Sequence, residues 1–251
     1  GGSGPTWFEV LTAVAFVHFA RARVDLAVLE TGLGGRLDAT NVSRPVLSII
    51  TSISLDHMHL LGSTIGRIAT EKAGIIKRGC PVISTAVHPE ARRVIEATAA
   101  RRRAPLVQLG RDFSAAYLPT DSADPLAPGR VAVSLAGGAT GSPLVFPLAM
   151  RGGHQAINAA AVVMAARSLD ARGFRVSDRA VAKGLASASL PARIERVGEK
   201  PLVILDAAHN VASMESLLAT LAAAAQAFRP AVLVFAASAD RKSTRLNSSH
   251  A

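Results

Sequence analysis

A glycine-rich segment directly follows an apolar run in this 251-residue chain, and this order limits the folds that the chain can adopt. Residues 24–29 (VDLAVL) are nearly all apolar and predict a buried strand over residues 24–30, and residues 30–41 (ETGLGGRLDATN) follow at once. Glu30 therefore ends the predicted strand, and the glycines begin the next loop. Ligands of open α/β sheets bind at the carboxyl ends of the strands. Because glycines let backbone approach an anion and a carboxylate can hold a cation, the segment predicts a ligand site.

The composition fits a globular protein and excludes several classes. Hydrophobic residues make up 49% of the chain, but no apolar run reaches the roughly 18 residues that a membrane helix needs. The single Cys80 excludes an internal disulfide, and its place before Pro81 predicts a buried, inert thiol. The formal charge is +10, yet aromatic residues make up only 4%, so the stacking surface typical of single-strand binding is missing. We therefore expect neither nucleic-acid nor membrane binding.

Both ends of the sequence look unlike the rest of the chain. It begins GGSGP without a methionine, as a linker or an internal cut would. Residues 241–251 (RKSTRLNSSHA) abandon the apolar pattern and carry three of the positive charges. We expect residues 241–251 to be a spurious or disordered tail, with an ordinary polar C-terminus as the alternative.

Periodicity and turn signals predict alternating helices and strands. Thr6 and Glu9 have the spacing of a capping box, which predicts a helix from there to about Ala22. Further strands are predicted at 46–53, 81–84, 202–206 and 232–236, and further helices at 63–73, 89–103, 154–169, 178–186 and 213–228. Pro and Gly punctuate residues 105–150, which predicts a small antiparallel excursion. The renewed alternation after Pro191 predicts a second α/β domain.

The phosphate-binding loop of ATP-dependent ligases is missing from this sequence. That loop has the pattern G-x-x-x-x-G-K-[ST], whose backbone cradles phosphates while its lysine reaches them. Residues 137–142 (GGATGS) lack the lysine, and no predicted helix follows them. We expect the loop to precede Thr6, in a piece that this chain does not contain, and we expect the chain alone to be inactive.

Glu30 and His57 are candidate ligands of one divalent cation. His57 follows the predicted strand 46–53 as Glu30 follows the strand 24–30. Two such ends of one parallel sheet point to the same edge, so their side chains can share an ion. The alternative is an ordinary loop histidine.

Lys72 lies on the apolar stripe of its predicted helix, because Ile65, Ile68, Ala69 and Lys72 have the spacing i, i+3, i+4, i+7. Apolar surroundings favour the neutral amine, which can react with carbon dioxide to give a carbamate. A carbamate would turn this cation into a carboxylate-like metal ligand. The alternative is a lysine whose ammonium group reaches past the stripe to water.

Polar residues in the second half suit a nucleotide. Gln155 and Asn158 are i, i+3 neighbours whose amides can read an adenine edge, or can simply cap the helix or be solvated. Arg193 lies at the predicted domain boundary, where a guanidinium can clamp a γ-phosphate. Asp206 ends the predicted strand 202–206 and can bind ribose or orient the nucleotide. Asn210 is equally suited to cap the following helix.

Taken together and in order, these motifs resemble those of the folylpolyglutamate synthase/dihydrofolate synthase family, relatives of the Mur ligases. The resemblance runs from about Pro5 to Asp240. It implies an α/β fold, with a Mur-ligase-type central domain over residues 1–188 and the start of a Rossmann-like glutamate-ligase domain over 189–240. The central domain would be a mostly parallel, P-loop NTPase-like sheet without its N-terminal part.

The resemblance also implies roles for residues at matching positions. Thr6, Phe8, Glu9, Asp38, Ala39 and Thr40 are similar to the family's substrate-binding residues. Glu30, His57 and a carbamylated Lys72 resemble ligands of its second magnesium ion. Asn158, Arg193 and Asp206 resemble the ATP-contacting residues, and His209 resembles a histidine near the acyl phosphate and the incoming glutamate.

The implied reaction is ATP- and Mg²⁺-dependent amide formation between a pteroate or folyl-glutamate carboxylate and L-glutamate, through an acyl phosphate. Lys72, Arg193 and His209 would be the catalytic residues. We expect a cytoplasmic monomer whose substrates are dihydropteroate or a folyl-glutamate, L-glutamate and ATP. Two alternatives remain open at this point: a Mur ligase acting on UDP-muramyl peptides, and a non-catalytic basic binding module.

Overall fold

The computed structural model describes residues 4–122, 124, 126–137, 142–225 and 232–236. It divides into two compact units, residues 1–109 and residues 110–251. The predicted boundary between residues 188 and 189 stays a prediction, and the predicted tail 241–251 lies outside the described residues.

The first unit contains a three-stranded parallel sheet in the order β1-β2-β3. Its strands are β1 (Ser48–Ile50), β2 (Val82–Ser84) and β3 (Leu106–Gln108). Its helices are α1 (Trp7–Ala22), a 3-10 helix (Ala39–Val42), α2 (Met58–Leu61), α3 (Ile65–Ala73) and α4 (Pro89–Arg102). The predicted helices at 63–73 and 89–103 are thus confirmed to within two residues at each end.

The core of the first unit lies where α3 and α4 pack against the sheet. Ile68, Val82 and Ile95 are each at most 1% exposed and belong to one apolar cluster. The helices cover the sheet as in other α/β proteins, where parallel strands need burial.

Helix α1 begins as its capping box predicts, but it buries none of its residues. Trp7 is 76% exposed, and Val14 and Val17 are 58% and 51% exposed. Its local stabilisation therefore comes mainly from the cap and the helical hydrogen bonds, because most of its apolar side chains stay exposed.

Two strand predictions in this unit are wrong in whole or in part. Residues 24–30 form no strand, and Val28 is 92% exposed. Their apolar composition suits a buried strand, but a strand also needs a hydrogen-bonded neighbour, and residues 24–30 have no ladder partner among the described residues. The predicted strand 46–53 shortens to β1, which is buried on one face only, since Ile49 is 38% exposed.

The second unit begins with an antiparallel sheet in the order β4-β5-β6, which confirms the predicted antiparallel excursion. The strands are β4 (Phe113–Leu118), β5 (Arg130–Leu135) and β6 (Leu144–Pro147), followed by helices α5 (Gly153–Asp170) and α6 (Asp178–Ser187). Phe113, Val131 and Val163 are nearly fully buried in this part of the chain.

The second unit ends with an antiparallel pair, β7 (Glu195–Glu199) and β8 (Leu202–Leu205), and helix α7 (Val211–Ala225). Ile194, Met214 and Leu217 form a small separate core. The predicted strand 232–236 is wrong: these residues have no regular structure, and Val232 and Val234 are 88% and 90% exposed. Like residues 24–30, they have no ladder partner in the described ranges.

Candidate functional site

Asp38 organises the glycine-rich loop of the first unit. Its Oδ2 accepts hydrogen bonds from the backbone N–H groups of Gly32 and Leu33, at 2.9 and 3.0 Å. Its Oδ1 accepts from the N–H and hydroxyl of Thr40, at 2.9 and 2.5 Å, and so caps the 3-10 helix. The carboxylate of this predicted substrate-binding residue therefore holds the loop closed from both sides.

These contacts set the protonation of Asp38. Partial burial, the largest influence, acts to raise the pKa of its carboxyl group, but the hydrogen bonds from Thr40, Leu33 and Gly32 together outweigh it. The pKa of Asp38 consequently lies below its usual value, and the group is ionised at neutral pH.

The start of α1 lies against the same loop. A Cβ at Gly32 would come within 2.6 Å of Cζ of Phe8, so the phenyl ring covers this glycine closely. Thr6 and Glu9 hold each other in the capping box: Thr6 N donates to Glu9 Oε2 at 2.7 Å, and Glu9 N donates to Thr6 Oγ1 at 3.3 Å. Backbone and side-chain hydrogen bonds from Thr6 lower the pKa of Glu9. The predicted residues Phe8, Asp38 and Thr40 thus meet around one loop, while Thr6 and Glu9 shape the helix end.

The other half of the loop docks on the last turn of α3, which carries Lys72. A Cβ at Gly35 would lie 3.0 and 3.1 Å from the carbonyl oxygens of Glu71 and Lys72. Arg36 N donates to Glu71 O at 2.8 Å, and the Arg36 guanidinium pairs with the Glu71 carboxylate at 3.0 Å. Only a glycine allows this backbone approach. Sequence reasoning missed the role of Glu71, because its partner lies 35 positions earlier.

An open cavity of about 300 Å³ lies beside this contact. Its lining residues are Leu60, Leu61, Gly62, Arg67, Thr70 and Glu71. A Cβ at Gly34 would approach two of them, Leu61 and Glu71, at 2.9 and 3.5 Å. The glycine loop therefore abuts the wall of the cavity.

The structure gives the surroundings of each predicted metal ligand. That the three residues share one ion stays a prediction. Glu30 is exposed, but because residues 24–30 form no strand it does not end one. His57 is exposed seven residues after β1 ends and begins α2 with a left-handed φ of 49°. Lys72 is half-buried. Within the described residues, no hydrogen bond or ion pair joins these three side chains, and no three His, Cys, Asp or Glu side chains form a metal-binding group.

Helix α5 of the second unit carries the predicted amide pair. Asn158 Nδ2 donates to Gln155 Oε1 at 3.1 Å, with Gln155 buried and Asn158 exposed. His154, at the start of the same helix, has a buried Nδ1 without a hydrogen-bond partner in the described part of the chain. Burial lowers the pKa of His154, nearby Asp206 acts to raise it, and Arg193 acts to lower it. His154, Asp206 and Arg193 therefore share one electrostatic neighbourhood.

The polar groups of the residues after β8 form hydrogen bonds with backbone groups nearby. Both carboxylate oxygens of Asp206 accept backbone hydrogen bonds, Oδ2 from Ile194 N and Oδ1 from Ala208 N, each at 2.8 Å. His209 Nδ1 lies 2.8 Å from Ala207 O. Asn210 caps α7, since its Oδ1 accepts from Ser213 N at 2.9 Å. Arg193 remains exposed. The direct nucleotide contact predicted for Asp206 stays a prediction.

Comparison with known protein families identifies the family to which this chain belongs. The chain belongs to the Mur ligase family: residues 6–166 match the Mur ligase middle domain, and residues 192–250 match the Mur ligase glutamate ligase domain. The predicted fold class is confirmed by this match together with the α/β architecture.

Within that family, the chain is a homologue of folylpolyglutamate and dihydrofolate synthases, as the motifs predict. It is 41% identical over 229 residues to the dihydrofolate synthase/folylpolyglutamate synthase of Bacillus subtilis, covering 86% of this chain and 49% of the relative. A similar relative from Mycobacterium tuberculosis is 39% identical, with 88% and 46% covered. The chain thus spans about half the length of these curated relatives.

Solved structures of folylpolyglutamate synthases also resemble this chain. The structure described as an FPGS-AMPPCP-folate complex superposes with a TM-score of 0.80 at 33% identity, covering 91% of this chain and 54% of that chain. A Mycobacterium tuberculosis folylpolyglutamate synthase complexed with ADP and AMPPCP superposes with a TM-score of 0.73 at 36% identity, covering 86% and 48%.

None of the helices within the described ranges is long and apolar enough to cross a membrane.

Proposed function

We propose that this chain supplies the substrate loop and the nucleotide-contacting residues of an ATP-dependent ligase that joins a pteroate or folate carboxylate to L-glutamate. The observation that carries the proposal is the loop at residues 32–40, which Asp38 clamps and which docks on the Lys72 turn of α3. The loop thereby connects the Phe8 end of α1 with the turn that bears a proposed metal ligand.

In this proposal the pterin part of the substrate binds beside Phe8 and the loop. Phe8 is 37% exposed, so one side of its ring covers Gly32 while part of it remains open to a ligand. A flat heteroaromatic ring can stack on such a phenyl face. Thr6, Glu9, Asp38, Ala39 and Thr40 complete the proposed substrate site, with Glu9 and Asp38 acting mainly by shaping it.

The proposed nucleotide site lies in the second unit. Exposed Asn158 offers an amide to adenine, and exposed Arg193 offers a guanidinium to a phosphate. Asp206 and His209 complete the proposed set. The relatives whose structures were determined with AMPPCP support a nucleotide of this class.

Mg²⁺ is the proposed cation, and the donors fit it in part. Glu30 has an exposed carboxylate that makes no hydrogen bond or ion pair within the described residues, and a carbamate on Lys72 would add a second oxygen donor. Mg²⁺ prefers oxygen ligands and retains several waters, so His57 would be the unusual member of the set. When bound, the ion would neutralise charge on the transferred phosphoryl group.

Isothermal titration of the chain against three probes tests the proposal. We expect binding of dihydropteroate, and no binding of a UDP-muramyl peptide or of an oligonucleotide. Binding of the muramyl peptide alone would instead favour a cell-wall ligase, and binding of the oligonucleotide alone would favour a basic binding module.

A variant pair locates the site. Phe8→Ala should weaken dihydropteroate binding about tenfold, the loss expected for one aromatic stacking contact. Val14→Ala removes an exposed apolar side chain from the same helix, 58% exposed, and should leave the affinity unchanged. Equal affinities of both variants and the parent chain would place the pterin elsewhere.

A further inference from the structure

The turn that carries Arg193 is held in a conformation that its residues disfavour. Ala192 and Ile194, on either side of Arg193, have left-handed φ values of 53° and 50°. L-residues rarely adopt this region, and a β-branched isoleucine is a clear outlier there. Such strain persists only where the surroundings fix the backbone, and it concentrates at functional sites.

Two carboxylates fix this backbone. Glu195 Oε2 accepts a hydrogen bond from Ala192 N at 2.7 Å, and Asp206 Oδ2 accepts one from Ile194 N at 2.8 Å. Charge-assisted bonds of this kind are stronger than bonds between neutral groups. The N–H groups immediately before and after Arg193 are therefore each held by a carboxylate.

Further contacts hold the carbonyl groups and the side chain of the turn. Ala207 N donates to Ala192 O at 2.9 Å, and Arg151 Nη1 donates to Ile194 O at 3.3 Å. The Ile194 side chain is only 2% exposed, in the core that it shares with Met214 and Leu217. The backbone on both sides of Arg193 is thus immobilised, while the Arg193 side chain stays exposed.

Arg193 Nη1 donates to Ala192 O at 3.3 Å, and the rest of the exposed guanidinium is available for an anion. Two carboxylates lie nearby: both oxygens of Asp206 accept backbone hydrogen bonds, and Glu195 Oε2 accepts one from Ala192 N. His154 faces the same neighbourhood, and its pKa lies below the usual value, mainly because of burial. A cation whose position is fixed before binding stabilises an incoming negative charge without paying for reorganisation.

We propose that Glu195 and Asp206 are positioning residues that lock the strained turn and so present the Arg193 guanidinium to a phosphate group. The inference rests on the proposed function, because it takes the phosphate to be that of the bound nucleotide. It assigns a role to Glu195, which belongs to none of the candidate site residues above, and it gives Asp206 a role through Arg193.

The test begins with three variants of the full chain. Glu195→Leu removes the acceptor for Ala192 N, whereas Glu195→Gln keeps a carbonyl oxygen in its place. Glu199→Leu is the matched control, because Glu199 lies on the same strand and its carboxylate pairs with Arg196 at 3.5 Å instead of with the turn. The first readout is the amide resonance of Ala192, which should move upfield in Glu195→Leu and little in the other two.

The second readout is the affinity for AMPPCP, measured on an active enzyme that contains this chain. We expect Glu195→Leu to weaken it about tenfold, towards the value for Arg193→Ala, and Glu195→Gln and Glu199→Leu to change it less than about threefold. Ala192→Gly separates positioning from stability: glycine relieves the left-handed strain, so the melting temperature should not fall, while the looser turn binds AMPPCP more weakly. A purely structural role would move both quantities together.

The outcomes separate the two proposals. An unchanged Ala192 resonance in Glu195→Leu overturns the lock whatever the ligand, and a shifted resonance with parental AMPPCP affinity overturns the positioning role. If Arg193→Ala binds AMPPCP as tightly as the parent enzyme, the nucleotide assignment fails and the positioning role fails with it. In that case the Ala192 resonance still decides whether the lock exists.

Discussion

Replacing Asp38 with asparagine should destabilise the chain by breaking half of the clamp on the glycine-rich loop. The Asp38 carboxylate accepts from two backbone N–H groups, of Gly32 and Leu33, on Oδ2, and from two Thr40 donors on Oδ1. An asparagine amide has one acceptor oxygen, and its NH₂ group would face the donors that the second carboxylate oxygen serves now. One pair of donors therefore loses its partner in Asp38→Asn.

The size of the effect follows from these bonds. A hydrogen bond to a charged group contributes about 1.5–3 kcal/mol when buried, and since this loop is partly exposed we take about 1 kcal/mol for each. Asp38→Asn, which loses two bonds, should lower the free energy of unfolding by about 2 kcal/mol. Asp38→Ala, which also loses the cap of the 3-10 helix, should lower it by about 3–4 kcal/mol.

The pH dependence has a definite sign. The pKa of Asp38 lies below its usual value of 3.8 in the folded chain, so the carboxylate contributes stability that is fully present above the unfolded pKa. That contribution is lost as the pH falls through the lower, folded pKa. The difference between the parent chain and Asp38→Asn should be constant between about pH 5 and pH 7 and should shrink below about pH 4.

Urea unfolding at a series of pH values measures this, with Asp25→Asn as control. Asp25 is an exposed aspartate of the same unit, and its replacement should change the free energy of unfolding by less than about 0.5 kcal/mol. The reasoning is refuted if Asp38→Asn is as stable as the control at pH 7, or if its deficit grows in acid.

Three further predictions address the loop, the proposed metal ligand and the last helix. Gly35→Ala should destabilise the chain by about 2–4 kcal/mol, because its Cβ meets two backbone oxygens; Gly79→Ala, with positive φ but nothing within 4 Å, should cost only about 1 kcal/mol in the same urea assay. Lys72→Ala should abolish glutamate addition by an active enzyme that contains this chain, and added acetate should restore part of the rate; full activity without rescue would exclude the carbamate. Asn210→Ala removes the cap of α7 and should lower the free energy of unfolding by about 1 kcal/mol, whereas an unchanged urea midpoint would argue that the cap contributes nothing.

The helices were predictable from sequence because their signals are local. The Thr6–Glu9 capping box lies within four residues of chain, and it marks the start of α1 correctly. Strands depend on partners elsewhere. Residues 24–30 and 232–236 have suitable composition, but their pairing is non-local, and among the described residues no strand pairs with them.

The positions of the site residues were predictable from sequence, but most of the contacts that join them were not. The sequence marks Asp38 and Thr40 as neighbours in a loop, and the structure joins them directly. The contact between Arg36 and Glu71 links positions 35 apart in the sequence, so no local residue spacing predicts it. Glu195 was missed for a different reason: its partner is nearby, but the contact lies in a left-handed turn that residues such as Ala192 and Ile194 do not predict.

Both candidate sites use carboxylates to hold backbone, and this changes how mutational data on them should be interpreted. Asp38 and Asp206 each accept backbone hydrogen bonds on both oxygens, so each shapes a loop before any ligand arrives. Loss of activity on replacing either one would not establish a ligand contact, because a misplaced loop gives the same loss. A contact lowers ligand affinity at unchanged stability, whereas a clamp lowers the free energy of unfolding as well. Measuring both quantities for Asp38→Asn and Asp206→Asn therefore distinguishes the two roles, and we expect both variants to lose stability.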